Sequence, residues 1–429
     1  MKKILGVLLG LIVVGLVGFF IYAHRPSIAP VPPPSPASFS PELVARGQSL
    51  AAGGFCATCH TRKGGPPLAG GRGMPTPFGT IYATNITTDP ETGIGRWSVD
   101  AFLRAMHDGV ARDGSHLFPA FPYTHFTKLS DDDVRAIYAY LMTQPAVRYV
   151  PPKNGVPFPL SIRAFQAGWK LLFFRPGRFT PDAARDPVWN RGAYLSEALS
   201  HCSACHTARN FLGAEKAHDP YGGAPIDNWI APALDQRNPS PVAWDGAQMF
   251  DYLRAGVTRY HGVAAGPMAE VIHGLKGLPD SDVQAISVYF AGMSNSAARQ
   301  AQSAQAIRAA LAAGAKDSGL HYDPTARLYI AACASCHYNG PGGINPLRPE
   351  LALNSAVALD QPDNLVQVIL HGVSTADGAP GVAMPAFDRF SDADIARLAN
   401  YLRTSRTGKA EWPDLEKKVG EIRRKGLSE

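Results

Sequence analysis

The chain has 429 residues, 45% hydrophobic and 18% charged, which is enough apolar material for several folded domains and argues against a disordered chain. Its formal charge of +6 is scattered rather than gathered into a basic run, which speaks against nucleic acid as a partner. Glycine (42) and proline (37) are frequent, so loops make up much of the fold.

Residues 1–25 read MKKILGVLLGLIVVGLVGFFIYAHR. Two lysines precede an apolar run at 4–23. At about 1.5 Å per residue, its 20 residues span the ~30 Å hydrocarbon core of a bilayer. The sequence behind it, Tyr22-Ala23-His24-Arg25, is a poor cleavage site. An uncleaved anchor is therefore favoured over a removed signal, with Ser35-Pro36-Ala37 as the alternative cut. The lysines keep the N-terminus in the cytoplasm and send the rest to the periplasmic side of the inner membrane. Residues 26–39 are Pro-rich and are expected to be a semi-extended linker that lifts the first domain off the membrane.

One pattern is then written three times. Each copy opens with a helical stretch: LVARGQSLAAGGFCATCH (43–60), WNRGAYLSEALSHCSACH (189–206) and ARLYIAACASCH (326–337). A second amphipathic stretch ends in Gly-Val at 97–110, 244–257 and 363–373. A third, rich in aspartate at its start, lies at 129–141, 278–290 and 390–402, with Ser130 and Ser391 as N-caps. The domains are placed at 40–148, 183–294 and 321–406, and the first carries an insert, TPFGTIYATNITTDPETGIG (76–95).

All six cysteines lie at C-x-x-C spacing: Cys56 and Cys59, Cys202 and Cys205, Cys333 and Cys336. None is left for a disulfide. Each pair runs directly into a histidine, His60, His206 or His337. C-x-x-C-H is the signature of covalent c-type heme attachment: the thiols form thioethers and the adjacent histidine becomes the proximal iron ligand. A thioredoxin-like pair needs a βαβ context, and a zinc site pairs two knuckles. Three motifs at one place in a repeat favour three hemes. The expected fold is mainly α: three tandem class I cytochrome c-like domains behind an N-terminal transmembrane helix.

The sixth ligand should come after Gly-Val. Met268 and Met384 each fall eleven residues past the valine, Val257 or Val373, after a glycine-rich lead-in and beside a proline. A His/Met iron has a raised potential suited to electron transfer. In the first copy that register holds Phe121, which cannot ligate iron. His125 is the residue chosen in its place. His116, His107, Met74 and Met106 also lie in this domain, and an open site is a further alternative.

Between domains, residues 149–182 hold an aromatic and basic segment, VPFPLSIRAFQAGWKLLFFRPGRF (156–179), too short and charged to span a bilayer. It is read first as a buried connector. A membrane-interface segment and a docking site for a partner protein are the alternatives. Residues 295–320 read as an Ala/Gln-rich linker, and 407–429 as a helical tail exposed to solvent.

The chain resembles the triheme cytochrome c subunits of membrane-bound bacterial dehydrogenases, notably at PTPFGTIYATNITTDPETGIGRWS, AGWKLLFFRPGRF, WNRGAYL and GVAAGPMAEV. One branch serves quinoprotein (PQQ) alcohol dehydrogenases. The other serves molybdenum hydroxylases, such as aldehyde and nicotinate-type dehydrogenases, with an iron–sulfur subunit. PAFPYTHF in place of a Met-bearing PAMPY, RPELALNSA (348–356) and EWPDLEKKVGEIR (411–423) are similar to the molybdenum branch. The resemblance implies a catalytic dehydrogenase subunit as partner and ubiquinone as electron acceptor, with no catalytic site on this chain. Three rivals stand beside it. One is the quinoprotein branch, another a peroxidase-like enzyme using an open first heme, and the third a component of a terminal oxidase.

Overall fold

The computed structural model describes residues 1–315, 323–339, 343–373 and 384–426. The expected start of the third domain at 321 and the lead-in to Met384 at 381–383 lie outside the described residues. The chain divides into two compact units, one of residues 1–181 with 197–201, the other of 182–196 with 202–429.

In the first unit, α1 (Lys2–Ala23) has a mean hydropathy of 3.0 and is long and apolar enough to cross a membrane. Only its last residue, Ala23, is buried, and its carbonyl accepts a hydrogen bond from His116 Nε2 at 2.8 Å. The linker behind it does not stand off. Ile28 N donates to Arg112 O at 2.8 Å and Val31 N to Arg96 O at 3.1 Å, while Arg104 Nη1 donates to Pro26 O at 2.7 Å. Proline rigidity therefore serves to lay this strip along the domain rather than to raise the domain above a surface.

Helix α2 (Pro41–Gly53) starts at Ser40, whose hydroxyl accepts from Leu43 N, and runs through Phe55, at φ 57°, into α3 (Cys56–His60). A two-residue antiparallel pair follows, β1 (Gly73–Met74) with β2 (Ile81–Tyr82). Helix α4 (Val99–Asp108) is capped by Ser98 and ends at Gly109, φ 60°, a conformation glycine adopts without strain. The short α5 (Tyr123–Phe126) precedes α6 (Asp131–Met142), which Ser130 caps as expected. Helices α2 and α6 cross at Gly47, where a methyl group would lie 1.9 Å from Ala136 O. Beside the crossing, Arg46 Nη2 bonds Asp133 Oδ1 at 2.7 Å, and that carboxylate is 4% exposed. Helix α7 (Phe165–Phe173) lies in the connector.

The second unit repeats this plan with α8 (Pro187–Tyr194), α9 (Ser203–His206), the pair β3 (Ala224–Ile226) and β4 (Trp229–Ala231), α10 (Gly246–Ala255), the pair β5 (Val257–Thr258) and β6 (Gly262–Val263), α11 (Pro267–Leu275) and α12 (Asp280–Ser294). Helix α10 again ends on glycine, Gly256 at φ 74°. The crossing of α8 and α12 falls at Gly192, 2.0 Å from Ala285 O for an added methyl, with Arg191 and Asp282 paired at 2.7 Å beside it. Helix α13 (Gln300–Ala315) is in the segment read as a linker; its Ala310 is buried with Val242, Ala352 and Leu353.

The remaining helices are α14 (Pro324–Tyr329), α15 (Ser335–His337), α16 (Ser355–Ala358), α17 (Asp363–His371), α18 (Asp392–Leu402) and α19 (Leu415–Lys425). They share a core that includes Tyr329, Val366, Leu370, Ile395 and Leu398. The tail helix differs from expectation. Trp412, Leu415, Val419 and Ile422 are buried in this core, and Arg423 Nε and Lys418 Nζ pair with Asp392 and Asp363 at 2.8 and 3.2 Å. Its apolar residues recur at three- and four-residue spacing, the stripe of a packed helix. A high charge content masked that stripe.

Candidate heme centres

The three C-x-x-C-H motifs share one geometry. His60 Nδ1 lies 2.6 Å from Thr84 O, His206 Nδ1 2.7 Å from Pro232 O, and His337 Nδ1 3.1 Å from Pro349 O. A carbonyl only accepts, so Nδ1 carries the proton in each and the lone pair is on Nε2. That tautomer is the one a metal-bound histidine needs, and the backbone bond fixes the ring's orientation. Burial holds all three imidazoles below the usual histidine pKa, keeping them neutral; the carbonyl bond offsets part of this.

The acceptor carbonyls come from the same kind of place. Thr84 lies just past strand β2, Pro232 just past β4, and Pro349 just past the Asn345–Arg348 bridge. In the first two centres the backbone tightens further: Gly70 N donates to His60 O at 2.6 Å and Gly223 N to His206 O at 2.8 Å, with both glycines at positive φ. The insert of the first repeat thus has a structural use, since Thr84 belongs to it.

The thiols are not thiolates in waiting. Burial, with the neighbouring cysteine second, pushes Cys56 and Cys202 up to about 12 and Cys333 up to about 11. A thioredoxin-like pair has its attacking thiol shifted the other way. Among the described residues no three His, Cys, Asp or Glu side chains converge as a closed zinc site requires. The donors present, two thiols and a tautomer-locked imidazole on one helical turn, fit covalently attached heme.

Among the residues expected as sixth ligands, Met384 is antiparallel to Val373, with backbone bonds of 2.9 and 3.0 Å joining the end of α17 to the methionine. Met268 is the second residue of α11, behind Gly266, whose α-carbon faces the Trp229 ring too closely for a side chain. Both methionines are half-buried. In the first unit His125 is buried on α5 and its Nδ1 lies 3.0 Å from Glu197 O, the tautomer seen at the three C-x-x-C-H histidines. The other residues weighed there are engaged elsewhere. His116 donates through Nε2 to Ala23 O and accepts from Lys170 Nζ at 3.1 Å through Nδ1. His107 accepts from Arg178 at 2.5 Å, and burial lowers its pKa to about 4. Met106 is core, and Met74 is on strand β1.

One neighbour escaped the sequence reading. The His201 ring lies 5.6 Å from Phe55, 6.1 Å from His125 and 5.7 Å from Phe126. It therefore joins the segment entering the first motif to the α5 segment. Its signal in the sequence was its place directly before Cys202, where Phe55 stands before Cys56; both adopt positive φ.

Helical domains that carry C-x-x-C-H turns with oriented, neutral histidines define a c-type cytochrome, an electron-transfer protein. A family profile for cytochrome c matches residues 44–145, and one for cytochrome c oxidase, cbb3-type, subunit III matches 322–402. The chain is 46% identical to a nicotinate dehydrogenase subunit of Pseudomonas putida over 93% of its own length, but spans only 33% of that longer protein. It is 37% identical to the fructose dehydrogenase cytochrome subunit of Gluconobacter japonicus, covering 86% of this chain and 80% of the relative. The gluconate 2-dehydrogenase cytochrome c subunit of Pantoea cypripedii is 38% identical, with 89% and 90% covered. The chain belongs to the family of cytochrome c subunits of dehydrogenases.

Proposed function

We propose that the chain carries three covalent hemes in three cytochrome c domains and relays electrons from a catalytic dehydrogenase subunit to ubiquinone, anchored in the inner membrane with its heme domains on the periplasmic side. The threefold recurrence of a C-x-x-C-H histidine whose Nδ1 is bonded to a backbone carbonyl carries this reading. When bound, each heme supplies a one-electron iron couple. The chain's own part is to fix each proximal ring through its Nδ1–H, to raise the basicity of Nε2, and to exclude water from the cleft. Met268 and Met384 serve as sixth ligands on this reading, and His125 serves the first centre. What supports His125 is its buried Nδ1–carbonyl pairing and the commitment of His116 and His107 to other partners. An α1 whose last residue is built into the first unit supports a retained anchor over a removed signal.

The partner is proposed to be of the molybdenum type, with an iron–sulfur subunit. The stretches PAFPYTHF, RPELALNSA and EWPDLEKKVGEIR and the 46% identity to the nicotinate dehydrogenase relative support this assignment. Isolation of the native complex from membranes tests the whole reading. It should yield three added porphyrins by mass, molybdenum in the large subunit, and substrate-driven ubiquinone reduction. Pyrroloquinoline quinone in place of molybdenum would move the partner to the alcohol dehydrogenase branch, and a copper-bearing core would end the assignment. Stoichiometric carbon monoxide binding to the reduced chain would replace the six-coordinate first centre with an open one.

A further inference from the structure

We propose that the exposed apolar face of α7, formed by Leu171 and Leu172, rests in the lipid surface of the bilayer that α1 crosses. The inference depends on the reading of α1 as a membrane anchor. These side chains are 62 and 59% exposed, respectively, in a segment that the sequence suggested would be covered by protein. Their position relative to the anchor decides what covers them. Helix α7 packs against the last turns of α1: the Phe165 ring lies 5.9 Å from Phe19 and 6.5 Å from Phe20. Gly168 also faces the anchor, its added methyl falling within ordinary contact of the Phe19 ring at 3.5 Å. Phe19 is four residues from the end of α1, about 6 Å along its axis. A helix of 22 residues is about as long as the hydrocarbon core is thick, so the contact falls at the outer edge of that core.

The opposite face of α7 cannot turn away. Gln166, Ala167 and Lys170 are buried, and Lys170 Nζ donates to Asp108 O at 2.6 Å and Gly109 O at 2.7 Å, the carbonyls that end α4. The same ammonium meets His116, whose other nitrogen holds the last residue of α1. One cluster thus fixes anchor and connector together and leaves Leu171 and Leu172 facing out at membrane height. Exposed Arg175 follows three residues after Leu172, a basic residue just beyond the apolar face, which suits lipid phosphate.

The test uses the full heme-loaded chain in nanodiscs containing a lipid with a photoactivatable acyl chain, with adducts mapped by mass spectrometry. Adducts are expected on α1 and on Leu171 and Leu172. In an L171Q/L172Q variant, the connector adducts should fall to background while those on α1 persist and the heme spectrum is unchanged. Adducts confined to α1 in the unmodified chain would overturn the proposal and leave the anchor intact. Absence from both would remove the anchor reading and the proposal with it. Connector labelling that is abolished by the catalytic subunit in the native complex would assign the face to that partner and overturn the lipid assignment.

Discussion

Replacing Gly47 by alanine asks whether the contact of α2 with α6 holds the first heme centre together. The new methyl would lie 1.9 Å from Ala136 O, 2.5 Å from its carbonyl carbon and 2.9 Å from Tyr140 Cβ. Close carbon–oxygen contacts between packed backbones settle at about 3.3 Å, so the helices must part by roughly 1.4 Å. No flexible side-chain end is available to move aside, and Arg46 and Asp133 pin α6 next to the clash. Overpacking of this kind costs about 1–3 kcal/mol, and a backbone obstacle places it near 3. Alanine returns about 1 kcal/mol of helix propensity, leaving a net loss of about 2 kcal/mol, or roughly 30-fold in the folding equilibrium. Gly246→Ala is the control: it lies in α10 with nothing within 4 Å of its added methyl and should gain up to about 1 kcal/mol. Guanidinium unfolding of the heme-loaded chain, followed by Soret circular dichroism, gives both values from midpoint and slope. Because α2 leads directly into the first motif, Gly47→Ala should also raise the high-spin fraction of one heme. If the two variants agree within about 0.5 kcal/mol, the crossing does not carry the load assigned to it.

Met268→Ala and Met384→Ala should each lower the midpoint potential of one heme and admit carbon monoxide there; unchanged spectra in both would refute their assignment as ligands. His125→Ala should alter the low-spin signal of the first heme alone. Tyr123 is fully buried and its hydroxyl has no hydrogen-bond partner among the described residues, so Tyr123→Phe should be neutral or slightly stabilising, whereas Tyr123→Ala should cost about 3–5 kcal/mol in urea unfolding. Lys170 is buried, and that burial lowers its pKa to about 7 in the folded chain, against about 10.4 when unfolded. The unfolded state then holds more protons between these values, so stability should rise with pH across about 7–10.4, and Lys170→Met should flatten that slope in pH-dependent melts.

The attachment chemistry was legible because heme c demands a fixed local spacing, and local spacing survives in sequence. The glycines ending α4, α10 and α17 were legible as Gly-Val for a similar reason: each adopts positive φ at a helix end. The acceptor carbonyls Thr84, Pro232 and Pro349 were not, because any residue type offers a carbonyl and only the hairpin brings it into place. The linker at 26–39 was misjudged on composition. Proline sets stiffness, but the backbone bonds of Ile28 and Val31 decide where the strip lies. Lys170 gave no signal of burial, since what buries it is a set of carbonyls at the end of α4. The tail helix shows the opposite error, a true apolar stripe discounted because charged residues surround it.

The sequence separation between a proximal histidine and its carbonyl varies widely, 24, 26 and 12 residues in the three centres, while the contact stays at 2.6, 2.7 and 3.1 Å. Loop length changes freely at little thermodynamic cost, so what the fold preserves is the end point, a backbone carbonyl within hydrogen-bond reach of Nδ1. With one imidazole tautomer and one kind of hydrogen bond on every proximal side, that side offers little means of separating the centres in potential. Any separation would then have to come from the distal side and from burial. On the proposed ligand set, Met268 and Met384 set two centres high, and a histidine at 125 sets the first lower. On that ligand set the step in potential would lie in the domain that also receives the anchor.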